Sequence, residues 1–152
     1  MKVKFLDLGL QYKKNKKEID FAINKVIKYS SFIGGKLKDD FEFNFAKFVN
    51  SKFCLGVGNG TDALEIAIES LNFKKNSEII VPSNSWISSS EAVTRNNLKV
   101  VFCDVDKDNY TIDINKLDKV ISKKTVAIIA VHIFGHPCQM DKIIKIARKY
   151  NL

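Results

Sequence analysis

At 152 residues, with 45 % hydrophobic and 28 % charged side chains, the chain fits one ordinary soluble domain able to bury a core. Its longest apolar run, VAIIAV at Val126–Val131, is far shorter than the roughly 20 residues that cross a bilayer, and the opening MKVKFLDLGLQYKKNKK has Asp7 inside its apolar stretch and no small-residue cleavage site. Neither a membrane partner nor a signal peptide is expected, and the expected location is cytoplasmic. Of the 25 basic residues behind the net charge of +8, only Arg95 and Arg148 offer a bidentate fork; most lysines fall on polar helix faces. That pattern reads as solvated surface rather than a nucleic-acid groove, which would gather its cations on one face. Cys54, Cys103 and Cys138 form no C-x-x-C pair and no even set, so neither a disulfide framework nor a metal site is expected.

Taken in chain order, Lys16–Ser30 places Ile19, Ile23, Val26 and Ile27 at helical spacing, and Asp39–Ser51 does the same with Phe41, Phe45, Phe48 and Val49. Gly34 and Gly35 break the pattern between them. From Lys52 onward short apolar runs alternate with helical periods. Strands are expected near residues 53–58, 78–81, 100–103 and 126–131, each followed by a helix. Near-continuous Val and Ile in such strands predicts a mainly parallel sheet with helices on both faces, an α/β fold. No linker or repeat divides residues 1–152, which read as a single domain.

The stretch GVGNGTDALEIAI, Gly56 to Ile68, is the chemical signal. Gly56, Gly58 and Gly60 permit a sharp turn, and Thr61 or Asp62 is expected to cap the helix, with Glu65 completing a capping box after Asp62. First-turn amides and the positive end of the helix dipole then face outward, a place suited to phosphate, and the Thr61 hydroxyl adds a donor. A tight βα turn with no ligand explains the same residues. Neither G-x-x-x-x-G-K-[ST] nor G-x-G-x-x-G is satisfied, so an ATPase or an NAD enzyme is not favoured.

Five ordered segments, FLDLGLQY, FIGGKLKDDFEFNFAKFVNSKFCLGVGNGTDAL, EIIVPSNSWISSSEAV, VVFCDVDKDNYTID and AVHIFGHPCQMDKIIKIARKYNL, make nearly the whole chain similar to the DegT/DnrJ/StrS family of pyridoxal-phosphate-dependent sugar aminotransferases. The resemblance implies the N-terminal part of the fold-type I large domain and pyridoxal 5'-phosphate as cofactor. It implies that Gly60, Thr61 and Asp62 contact the cofactor phosphate and that Trp86 stacks on the pyridine ring, the reading favoured over core packing. His132 matches a segment near the active site or is a hydrogen-bonded core residue; Asn84 and Ser88 lie near the same turn without an assigned role.

Family members continue past the position of Leu152 with an acidic partner for the pyridine nitrogen, a phosphate-binding Ser and the Schiff-base Lys, and none of these is in this sequence. No catalytic residue is therefore assigned, and the chain is expected to be an inactive N-terminal fragment. By the same resemblance, strands later in the chain separate the 53–58 strand from the other three. The implied reaction moves an amino group, from glutamate as donor, onto a nucleotide-diphosphate keto sugar, in an intact homodimer. Alternatives are a dehydratase using the same cofactor, and a non-catalytic phosphate-binding or partner-pairing module.

Overall fold

The computed structural model describes residues 3–152, which divide into two compact units, one ending at Gly56 and one running from Val57 to Leu152. Among the described residues no helix is long and apolar enough to cross a membrane.

The first unit holds α1, Leu8–Lys28, and α2, Lys36–Phe48. Helix α1 starts well before Lys16 because Asp7 caps it: its Oδ1 accepts the Leu10 amide at 2.9 Å. The lysine-rich first turns are then knitted by Tyr12 and Lys16, both bonded to Asp20. Helix α2 begins after Gly35, whose φ of 94° favours glycine, and carries the i,i+4 pairs Lys36–Asp40 and Lys38–Glu42, each at 2.9 Å. Phe41 and Phe45 stack along it with centroids 5.6 Å apart.

The strand expected at 53–58 does not form. Among the described residues Phe53–Val57 enters no ladder, and its one long-range hydrogen bond is the Gly56 amide donating to Glu42 Oε1 at 2.7 Å. An apolar run becomes a strand only where a neighbouring edge accepts its backbone groups.

The second unit is a parallel sheet in the order β2-β1-β3, from β1 (Glu78–Pro82), β2 (Lys99–Cys103) and β3 (Thr125–Ile128). Ile80 lies opposite Val101 on one side and Ile128 on the other. Strand β3 is shorter than the expected 126–131, although the Ile129 amide still donates to the Ile80 carbonyl at 2.8 Å. The chain leaves β1 through α4 (Ser88–Arg95) to β2, then returns across β1 through α5 (Ile114–Val120) to β3. With right-handed crossovers this places α4 and α5 on opposite faces.

The period-2 alternation of β1 divides the core accordingly. Ile79 and Val81 pack with Ile68 of α3 (Gly60–Ser70) and with Ala92 and Val93 of α4. Ile80 packs with Cys103, Leu117 of α5 and Ile143 of α6 (Met140–Tyr150). The order in which the strands are added reverses after β2, which makes the carboxyl end of β1 the switch point where ligands usually bind in such sheets.

Candidate cofactor-phosphate turn

Helix α3 is capped by Asn59 rather than by Thr61 or Asp62. Asn59 Oδ1 accepts the Asp62 amide at 3.0 Å, its Nδ2 donates to Asp62 Oδ2 at 3.1 Å, and its carbonyl accepts the Ala63 amide at 3.1 Å. The reciprocal cap is thus Asn59 with Asp62, one turn earlier than the expected capping box of Asp62 with Glu65, and the Asp62 carboxylate takes the Asn59 side-chain amide rather than its backbone N–H. Glu65 instead faces Arg95 at 3.4 Å. The spacing Asn-x-x-Asp was a legible signal, since Asn ranks with Asp and Ser as a cap.

This closure decides what the turn can offer. Asp62 spends its amide and its carboxylate on Asn59, which leaves the Gly60 and Thr61 amides as first-turn donors without a partner among the described residues. A Cβ at Gly58 would stand 2.6 Å from Asp62 Oδ2, so glycine is required for the carboxylate to fold back. At Gly60 a Cβ would meet nothing within 4 Å, so that side of the turn is open. Two amides, a neighbouring hydroxyl and an open approach at a helix start fit a phosphate group.

Thr61 is half-buried, with Oγ1 2.7 Å from Ser88 Oγ at the start of α4. That bond joins the glycine turn to the loop after β1, so both stand at the carboxyl end of the sheet. Ser88 was without a role in the sequence because the contact spans 27 residues. Trp86, in the same loop, is 76 % exposed, which removes the core reading. Its loop is held by a Ser85–Ser89 hydroxyl bond of 2.7 Å and by the Ser89 amide donating to the Trp86 carbonyl at 3.0 Å. A shallow pocket of about 190 Å³ lies beside the indole, lined in part by Val81, Pro82, Ile87 and Phe102.

His132 is exposed rather than core. Its Nδ1 accepts the Cys138 amide at 3.0 Å, which places the proton of the neutral ring on Nε2. Every described lysine is exposed, and those with shifted pKa values (Lys16, Lys36, Lys38, Lys116 and Lys149) all move upward, held by carboxylate or tyrosine partners. A lysine nucleophile needs the opposite shift. Burial, with nearby Asp113 and Asp104, pushes the Cys103 thiol up to about 11, so it is an inert core group.

Known proteins share this sequence and fold. The chain is 40 % identical over 150 residues to dTDP-3-amino-3,6-dideoxy-alpha-D-galactopyranose transaminase of Aneurinibacillus thermoaerophilus, covering 99 % of this chain and 41 % of that protein. It superposes on DesV of S. venezuelae with a TM-score of 0.94 at 33 % identity, covering 99 % of this chain and 40 % of that one. A TM-score of 0.94 at 26 % identity relates it to NtdA of Bacillus subtilis, solved with bound cofactor PMP, with 99 % and 35 % covered. The chain thus spans about two fifths of the length of these proteins, and its fold is that of their N-terminal part. Residues 13–152, the glycine turn and the Trp86 loop included, match one family along their whole length, and the chain belongs to the DegT/DnrJ/EryC1/StrS aminotransferase family.

Proposed function

We propose that residues 1–152 are the N-terminal segment and first half of the pyridoxal-phosphate-binding large domain of a nucleotide-sugar aminotransferase. The observation that carries this reading is the open pair of Gly60 and Thr61 amides at the same end of the sheet as the exposed Trp86. In it, those amides and the Thr61 hydroxyl hold the cofactor phosphate, Asp62 keeps the turn closed through Asn59, and the Trp86 indole covers a face of the pyridine ring. When bound, the cofactor supplies the electrophilic carbon and electron sink through which an amino group is exchanged. The chain's own residues bind and orient it; among the described residues no group is placed to move a proton or to bond the cofactor covalently. The proposed substrates are a nucleotide-diphosphate keto sugar and an amino-acid donor, glutamate, used by a cytoplasmic homodimer.

A second reading, a phosphate-binding module without catalysis, is favoured by one observation: every described lysine is exposed. Incubation of the chain with pyridoxal phosphate, borohydride reduction and mapping of the label tests both. Scattered labelling without turnover is the expected result. One stoichiometrically labelled lysine with turnover of an amino sugar nucleotide would overturn the assignment of no catalytic residue.

A further inference from the structure

Ser88 opens α4 and is buried, 6 % exposed as a residue. Helical serines and threonines ordinarily turn their hydroxyls back onto a carbonyl of the preceding turn. Two neighbours do so: Ser90 donates to the Ile87 carbonyl at 3.0 Å and Thr94 to the Glu91 carbonyl at 2.9 Å. Ser88 instead reaches across to α3, and Thr61 Oγ1 at 2.7 Å is its side-chain partner.

A hydroxyl has one proton and two lone pairs. If Thr61 gives its proton to Ser88, only lone pairs are left to face an anion, and they repel it. If Ser88 donates, the Thr61 proton is free to point into the open space beside the Gly60 amide. An anion in the turn selects the second arrangement. We propose that Ser88 is a positioning residue, donating to Thr61 Oγ1 and so aiming the Thr61 proton at the cofactor phosphate. This rests on the function proposed above. Ser88 acts only through Thr61, and that dependence is measurable.

Trp86 is the chain's one tryptophan, so its fluorescence reports on the loop without a label. The 152-residue chain is titrated with pyridoxal phosphate, with pyridoxal lacking the phosphate, and with inorganic phosphate. Ser88→Ala should weaken pyridoxal phosphate and inorganic phosphate about two- to tenfold, the size of one net hydrogen bond, and leave pyridoxal unchanged. Ser88→Thr, which keeps the hydroxyl, should bind as the parent does. In a Thr61→Val background, Ser88→Ala should add nothing, because the proton it directs is gone.

Equal weakening of pyridoxal and pyridoxal phosphate, or a full additional loss in the Thr61→Val background, would overturn the positioning role. So would a Ser88→Ala chain that binds phosphate like the parent while Thr61→Val does not. If the parent shows no phosphate-dependent response at all, the cofactor-phosphate reading of the turn falls, and the role of Ser88 with it. Far-UV circular dichroism of each variant separates lost binding from lost fold; should Ser88→Ala not fold, Ser88→Cys, a weaker donor of similar size, takes its place with the same expected direction.

Discussion

At the scale of single residues, Asn59 and Asp62 close the turn on each other, and the Gly60 and Thr61 amides stay without a partner among the described residues, free for the proposed phosphate. Thr61→Val keeps the shape of the side chain and removes its proton, so it should weaken phosphate binding by about 1–3 kcal/mol. Trp86→Ala should cost about 0.5–1.5 kcal/mol through lost stacking. Titration of both variants checks these roles; affinities equal to the parent's would show them misassigned. The sharp glycine turn and the helix after it are legible from residue types, but the sequence points to Thr61 or Asp62 as the cap, two or three positions after the observed Asn59. Ser88 was not legible, because no local pattern connects a helix start to a hydroxyl 27 residues earlier.

At the scale of elements, the extended segment after α2 hangs on one charged contact. The Gly56 amide, and after it Lys38, hold the Glu42 carboxyl below its usual range. A carboxylate whose pKa is lowered by folding contributes stability above its ordinary pKa, and that contribution is lost as pH falls through the lowered value. The Gly56 amide proton resonance should therefore titrate with a midpoint below that of a free glutamate, and Glu42→Gln should abolish the transition. A flat Gly56 resonance, or a midpoint at the free value, would remove Glu42 as the tether. Helices α2 to α6 were all legible from apolar spacing, with ends displaced by a few residues. Helix α1 was read eight residues short, because its first turns rest on the Asp7 cap and polar pairs rather than on an apolar stripe.

At the scale of the whole molecule, the two units differ in what they bury. In the second, Ile79, Ile80, Val81 and Leu117 are each at most 1 % exposed. In the first, Ala46 is the buried side chain among the described residues, while Phe21, Phe32, Phe43 and Phe48 stand at 68 % exposure or more. Local opening free energies follow burial. Native-state hydrogen exchange should find the Ile79–Val81 amides slowest and the α1 amides close to freely exchanging. Equal protection in both places would show that α1 draws stability from a source other than side-chain burial.

The sequence by itself determined the βα rhythm, the parallel sheet with two covered faces, the anion-suited turn and the family. Helices, caps and turns close their hydrogen bonds within a few residues, and a fully apolar strand such as EIIVP announces burial on both sides. Tertiary structure alone decided that Phe53–Val57 stays out of the sheet while an equally apolar β1 lies at its centre. A strand's hydrogen bonds must be met by another segment far along the chain, and no local composition states whether that partner exists. The Thr61–Ser88 bond has the same origin: each residue alone reads as ordinary helix-start chemistry, and only the packing of α3 on α4 brings the two hydroxyls together.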